Sequence, residues 1–462
     1  DYEGARISSN GRDGIAEALW NDRLMSTTNS SARTYVTITP IEGLNLTVNY
    51  AFDNKDERRR VYENPEVGDG TAGPGRLNIR NRNFLTQTFN QLINYTKTFG
   101  KHNIEALLGH ENYSYRLQYN YGMKTNEIVS GTYEYSNFVS ISSMDSYTRE
   151  YKKEGYFARL NYDFDDKYYV TASYRRDGSS RFSKDNRWGN FWALSGGWRV
   201  SAEEFMKEFD WVSDLKVRFG YGVTGNNDFD ASYMANTLSR DQYWMLPSGS
   251  WAYVYGPSSN VNPYLGWEEK KEWNIGVDYS FFGNRMYGKF DYYRRKIDGM
   301  IYEVNVPQPP YPNGKQWQNI GEMESKGWEF EVGGDIIQNK DFTWTSSLNM
   351  SHNSGKILTM YGNNSRMDGN AMDEPGWPGD AARIEEGAEI GAFHMWKFAG
   401  FDDKGDFLLY NKDGEVIPAS QKSVDDKQYI GNYLPKVMMG WNNTFTYKNF
   451  DLGINMRSWI GF

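Results

Sequence analysis

The sequence predicts an all-β chain, an antiparallel transmembrane β-barrel of the outer-membrane type, apolar outside and polar inside. The first of three observations is the stretch 272–296, EWNIGVDYSFFGNRMYGKFDYYRRK. Trp273, Ile275, Val277, Tyr279 and Phe281 fall on every second position, while Glu272, Asn274, Gly276, Asp278 and Ser280 take the others. Period two is that of a strand. Gly283-Asn284 then offers a reversal tolerant of positive φ, and the second arm sets Met286, Gly288, Phe290 and Tyr292 against Tyr287, Lys289, Asp291 and Tyr293. The second observation is length: soluble strands run about five or six residues and membrane-crossing ones about 9 to 11, which both arms reach. Charges in mid-strand at Glu272, Asp278, Lys289 and Asp291 suit a wet lumen. The third is composition: 16% aromatic, with 35 Tyr, 25 Phe and 16 Trp, as interfacial girdles around a polar interior require.

Several classes are excluded by the same numbers. With 39% hydrophobic residues, a mean hydropathy of -0.77 and no run of eighteen apolar residues, a transmembrane helix is absent from the sequence. Zero cysteines rule out disulfides and thiolate metal sites. A net charge of -9 and a pI near 5.3, without a basic stripe interleaved with aromatics, argue against nucleic acid. The opening DYEGARISSN has neither a charged n-region nor an apolar h-region, so the start reads as mature or internal to a larger protein. A soluble, aromatic-rich β-protein is the plainer alternative.

In chain order, residues 1–31 are polar and read as a loop with a short helical possibility at 14–24. Residues 32–40 and 44–52 make a first hairpin around Glu42-Gly43. The charged run KDERRR at 55–60 reads as a solvated loop. Gly68-Asp69-Gly70-Thr71-Ala72-Gly73 matches a dinucleotide fingerprint by letters alone, because no helix opens there to receive a phosphate. Residues 84–98 and 102–121 pair around Phe99-Gly100-Lys101, and Tyr113, Tyr115, Tyr119 and Tyr121 rise above the membrane. Tyr156 to Phe164 and Tyr168 to Arg175 alternate on either side of Asp165-Asp166-Lys167, and 190–200 forms the next strand. Ser201-Ala202-Glu203-Glu204 predicts a capping box and a short helix ending near Trp211, followed by a strand through Leu215, Val217, Phe219, Tyr221 and Val223. Short turns alternate with long loops, the two-ended asymmetry of such barrels.

Five blocks resemble a known family: GSSRFSKDNRWGNFWALSGGWRVSAEEFM (178–206), LKVRFGYGVTGNND (215–228), NPYLGWEEKKEWNIGVDYSFFGNRMYGKFDYYRRK (262–296), NIGEMESKGWEFEVGGDIIQNKDFTWTSSLNMSHNSGKI (319–357) and YLPKVMMGWNNTFTYKNFDL (433–452). As an ordered set they are similar to the SusC/RagA branch of TonB-dependent outer-membrane transporters. That resemblance implies a large plugged barrel of about 22 strands. Here, strand-plus-loop units give roughly 16 strands at about 9 to 11 crossing residues each. The whole of 1–462 is therefore expected to be part of one barrel domain, lacking the N-terminal plug and the final strands, and an isolated piece would leave sheet edges open in lipid.

The resemblance further implies import of an oligomeric nutrient across the outer membrane of a Gram-negative bacterium, most often a glycan, with a SusD-like lipoprotein lid and the TonB complex as partners. A peptide or other ligand, or a passive porin without a plug, are the alternatives. An enzyme is not expected: His102, His110, His352 and His394 lie in separate segments and no Gly-x-Ser-x-Gly elbow exists. No cofactor is expected, and Asp402-Asp403-Lys404-Gly405-Asp406 carries only part of a calcium-loop pattern. Binding chemistry is expected in the loops. The loop 225–267 offers Tyr243, Trp244, Trp251, Tyr253, Tyr255 and Trp267 as sugar-stacking faces, with Ser248, Ser250, Asn260 and Asn262 as hydroxyl partners. The loop 297–319 adds Tyr311 and Trp317, and 358–390 carries Tyr361, Asn363, Asn364 and Trp377. Packing of the loops, or the upper girdle, is the competing role for each aromatic.

Overall fold

The computed structural model describes residues 13–229, 238–257, 260–308, 311, 314–360, 366–372 and 379–461. Fourteen strands form one sheet: β1 (Asp22–Ile41), β2 (Leu44–Glu63), β3 (Arg76–Phe99), β4 (His102–Glu127), β5 (Phe138–Phe164), β6 (Tyr168–Ser179), β7 (Trp188–Arg199), β8 (Val212–Asn226), β9 (Glu268–Phe281), β10 (Met286–Asp298), β11 (Glu322–Gln338), β12 (Phe342–Thr359), β13 (Val437–Tyr447) and β14 (Phe450–Ile460). Each is hydrogen-bonded to its neighbours in this numbering. The count falls below the expected sixteen because β1 to β5 run to 20 residues and more. Such lengths exceed what a membrane crossing uses.

Two compact units are distinguished. One takes in the chain to Ile93 with Leu108–Tyr156 and Gly178–Arg181; the other comprises Asn94–Leu107, Phe157–Asp177 and Phe182–Phe462. In the first unit β1 and β2 form a long hairpin, with Val36 opposite Val48. Residues 22–31, expected as loop, are strand throughout, preceded by a helix of two turns, α1 (Gly14–Trp20), whose N-terminus Asp13 caps by accepting from Ile15 N (3.1 Å) and Ala16 N (3.0 Å). The run 55–60 likewise lies inside β2, because its charges are paired, Glu57 with Lys55 of the same strand (3.0 Å) and, across strands, Glu57 with Arg82 (3.7 Å) and Arg60 with Asp22 (2.8 Å). Tyr62, Leu77, Ile79 and Phe138 are buried together under Tyr133 and Tyr135. Gly68–Ala72 is one 3-10 turn, tied down by Arg76 between Glu63 and Asp69.

In the second unit the alternation read from the sequence is a register. Val277 stands opposite Phe290 on one side and Val217 on the other, and Phe290 opposite Phe330. Phe330 in turn meets Met350. These side chains make one apolar face, on which Phe219, Ile275 and Phe290 remain exposed. The opposite face is charged and internally paired. Arg218 donates through Nε and Nη2 to Asp278 (2.7 and 2.9 Å) and through Nη2 to Asp291 (3.2 Å), so one guanidinium serves three strands. Gly276 makes room for this fork, since a Cβ there would stand 2.7 Å from the Arg218 Nη2. Lys289 with Glu331 (3.2 Å) and Arg295 with Glu272 (2.8 Å) extend the pattern. The four charges that pointed to a lumen are thus all in cross-strand pairs.

Adjacent short turns of this unit are stitched together at one end of the strands. Asp165 N donates to Lys101 O (2.8 Å), Arg199 N to Lys167 O (2.7 Å), Phe282 N to Trp211 O (2.7 Å), Asp335 N to Arg285 O (2.9 Å) and Lys448 N to Asp341 O (2.9 Å). Phe282, Gly283 and Asn284 all have positive φ, which Gly and Asn accept readily and Phe282 does not. Its ring packs on Trp211 (6.3 Å) and Phe281 (6.3 Å), which holds it there. The helix expected after Ser201 is replaced by two 3-10 turns, Val200–Ala202 and Glu204–Met206. Ser201 donates its hydroxyl to Asp214 (2.8 Å) and Glu204 is paired with Lys207 (2.8 Å), so neither capping-box residue is available to cap.

With the apolar face against lipid, Val277→Arg should lower the unfolding free energy of the barrel in vesicles by about 2 to 4 kcal/mol, while Asn274→Arg on the charged face should change it little. Urea titration of the full protein refolded into lipid reads both; equal effects would reverse the facing.

Candidate ligand-binding site

At the ends of the strands opposite the stitched turns, the long connections of the second unit fold onto one another. Phe182, Phe229 and Leu265 are buried together, with Trp267, Ile301 and Trp317 packed against them. Trp267 lies 5.2 Å from both Phe182 and Phe191, and its indole N–H donates to Arg187 O (3.1 Å). Trp317 approaches Phe229 at 5.9 Å. Tilted and edge-on aromatic contacts of this kind stabilise beyond the area they bury. The structure therefore places Trp267 and Trp317 in the packing that joins the loops.

Asparagines complete that join. Asn260 donates to Lys315 O (2.7 Å) and Asn262 to Trp317 O (2.9 Å). Asn319 accepts from Gly266 N (2.8 Å) and donates to Gly266 O (3.1 Å) and Gly299 O (2.8 Å). Asn260 and Asn262, expected as hydroxyl partners, thus carry backbone-matching bonds that hold 260–266 beside the strand Lys315–Asn319. A second apolar group, Val304, Ile320, Ile357 and Met360, anchors the insertion after β10 to the outer end of β12, with Ile384 and Ile390 against it.

The loop 225–267 contains a ribbon, Leu238–Met245 with Trp251–Pro257, in which Tyr253 is paired with Tyr243 and Ala252 with Trp244. The side chains of Tyr243, Trp244, Tyr253 and Tyr255 lie outside the described residues, as do Tyr361, Asn363, Asn364 and Trp377 altogether. Trp251, at the ribbon's turn, is 64% exposed, and Tyr264 is 84% exposed. Tyr311 sits half-buried in a turn where its N–H donates to Pro307 O (3.3 Å).

A cavity of about 1090 Å³ opens beside these loops, and sequence reading missed it. His352 to Gly355 of β12 form one wall; Glu385, Glu386 and Glu389 form another; Tyr429, Asn432 and Lys436 face them. The segment 387–390 runs along the outer end of β12, with Ile357 N donating to Ala388 O (3.0 Å) and Ile390 N to Gly355 O (2.9 Å). Glu386 accepts from Met360 N (2.7 Å), Tyr429 donates to Glu385, and Asn432 donates to Ile390 O (2.9 Å). A cavity of this size, in which Glu385, Glu386 and Glu389 stand among apolar side chains such as Ile390, Ile430 and Leu434, offers acceptors and apolar surface together, as a ligand with hydroxyl groups on an apolar frame requires. Its only trace in the sequence was the acid-rich stretch IEEGAEIG, which shows no period.

Nearby, the Ser423–Asp426 turn is a reciprocal cap, and the backbone N–H groups of Ser423 and Lys412 hold the Asp426 carboxyl below its usual range. The Asp402 carboxylate is engaged by the N–H groups of Lys404 (2.8 Å) and Asp406 (2.9 Å), an ordinary Asx turn. Among the described residues no group of three or more His, Cys, Asp or Glu gathers as a metal site.

The family model described as TonB dependent receptor-like, beta-barrel matches residues 2–456. TonB-dependent receptor P3 of Formosa agariphila is 29% identical over 453 residues, covering 91% of this chain and 43% of its own length. TonB-dependent receptor SusC of Bacteroides thetaiotaomicron is 29% identical over 383 residues, covering 80% of this chain and 37% of its own. A solved structure of the RagAB peptide transporter superposes with a TM-score of 0.83 at 25% identity, over 100% of this chain and 50% of that one. The chain thus spans half or less of the length of these relatives.

Removing a ring from the loop cluster should loosen it. Trp267→Ala is expected to cost about 3 kcal/mol and to expose 225–267 to limited proteolysis, whereas Trp251→Ala should leave the digestion pattern unchanged. Equal sensitivity in both would place Trp251 in the packing as well.

Proposed function

Because this chain belongs to the TonB-dependent receptor β-barrel family, in its SusC/RagA branch, we propose that it provides the wall, the inner lining and part of the capture surface of an outer-membrane importer. The cargo is an oligomeric nutrient, in the first reading a glycan. A SusD-like surface lipoprotein closes over the crest, and the TonB complex, acting through parts of the protein outside this chain, opens the path. The barrel lies in the outer membrane of a Gram-negative bacterium.

The observation that carries this reading is the asymmetry of the strand ends. Stitched short turns occupy one end and a folded crest with a large cavity occupies the other. The turn end, with Asp165-Asp166-Lys167 and Phe282-Gly283-Asn284, is assigned to the periplasm, and the crest to the outside. A glycan is supported by the hydrogen-bond acceptors of the cavity together with the exposed faces of Trp251 and Tyr264. A peptide is the second reading, supported by the likeness to the RagAB peptide transporter.

Deleting the whole gene and growing the cells on single glycans or peptides tests the proposal. Growth on one glycan should be lost, return with the gene, and vanish again without TonB. Uptake that persists without TonB would indicate a passive pore, and loss confined to peptides would replace the glycan.

Orientation is tested separately. An epitope inserted near Ser248 should bind antibody on intact cells and one near Asn284 should not; the reverse labelling would invert the barrel. Replacing Trp244 and Trp251 with Ala should weaken uptake by about 1 kcal/mol or more, roughly fivefold, at unchanged barrel abundance. Unaltered uptake would remove both from the capture surface.

A further inference from the structure

At the turn end of the second unit, the apolar face carries a groove of about 400 Å³, within the range of ligand pockets. The strand register places its lining. Met286, Gly334 and Ser346 stand opposite one another across β10, β11 and β12, and Val332 stands opposite Leu348. Both rows share the facing of Phe290, Phe330 and Met350, the lipid side. Phe282 of the turn, Met286 and Ile336 are exposed around the hollow.

The backbone itself makes the hollow. Gly334 cannot carry a side chain, since a Cβ there would stand 2.2 Å from Arg285 O. Beyond it the pairing of β11 with β12 shifts, Asp335 facing Thr345 and Ile337 facing Trp344, so that Ile336 is the extra residue of a bulge. Arg285 lines the turn end of the groove, its Nη2 donating to Asp335 O (3.3 Å). The Asp335 carboxylate accepts from Thr345 (2.7 Å) and is engaged within the protein.

Indoles on the β12 side give the depth. Trp344 stacks on Phe445 at 5.6 Å with planes 18° apart and donates to Asn443 (3.1 Å), while Trp441, opposite Leu348, donates to Ser346 (2.9 Å). Rings set in an apolar face with their N–H groups on polar partners mark the interfacial belt of a membrane protein. The groove therefore opens where acyl chains meet headgroups.

We propose that this groove binds a glycerophospholipid of the periplasmic leaflet, one acyl chain in the hollow and the phosphate on Arg285. Charge complementarity selects this occupant. An apolar hollow ending in a guanidinium matches, in order, a hydrocarbon tail and an anionic headgroup, and a guanidinium takes phosphate through paired N–H donors. A water-soluble ligand does not reach a face turned to lipid. This inference rests on the facing and orientation given above and is independent of the cargo.

The test is native mass spectrometry of the full-length transporter, stripped of lipid in detergent and titrated with dipalmitoyl phosphatidylglycerol, dipalmitoyl phosphatidylethanolamine, dipalmitoylglycerol or lipid A. Both phospholipids should be retained, and dipalmitoylglycerol, which lacks the phosphate, should bind about tenfold more weakly or worse. Arg285→Gln should bring the phospholipids down to that level and leave dipalmitoylglycerol unchanged, and Arg285→Lys should keep part of the difference. Leu348→Trp, which fills the groove, should weaken all three; if it does not fold, Met286→Trp takes its place with the same expectation. Equal binding of phospholipid and dipalmitoylglycerol, or indifference to Arg285→Gln, would overturn the proposal with the orientation intact. Preference for lipid A would overturn it together with the periplasmic assignment of the turns.

Discussion

A strand in hydrocarbon has no water to satisfy its backbone, so every N–H and C=O must find the neighbouring strand. The fourteen-stranded order meets this by pairing each long strand with the next, even where a folded insertion separates them in sequence, as between β8 and β9 or β12 and β13. Insertions can then leave only from strand ends, and the stitched turns leave one end without room for them. Facing follows from the same ladder. A slip of one residue would carry Arg218, Asp278 and Asp291 to lipid together, which pins the register more firmly than apolar preference alone.

Legibility in the sequence tracked this ladder. The hairpin of β9 and β10 was readable to within a few residues because both faces were uniform, and its expected apolar and polar partners are the observed ones. Where charges are paired across strands the reading failed: KDERRR looks like a solvated loop only because Asp22, its partner for Arg60, is 38 positions away. Ser201 failed for the same reason, since a capping box is a local pattern and Asp214 competes from the next strand. The small sheets within the insertions have strands too short to show a period. The cavity is built from four separated segments and has no local signature.

Aromatics show what sequence alone leaves undetermined. Trp251 and Trp267 lie in one loop with similar neighbours, yet one is exposed and the other packs against Phe182 and Phe191. The difference is made by Phe182, Phe191 and Arg187, which reach the loop from the β6–β7 connection and from β7. Tyr113, Tyr115 and Tyr119 were readable as strand residues, but their ring contacts with Tyr147 and Tyr151 of β5 depend on a register that no spacing within β4 contains.

Pairing on the inner face decides what the wall can still attract. Where Asp278 and Asp291 share the Arg218 guanidinium, opposite charges sit within hydrogen-bond distance and their field falls off quickly. Inside a passage with low-dielectric walls, the local potential governs which solutes are drawn in, and the formal charge of the whole chain does not.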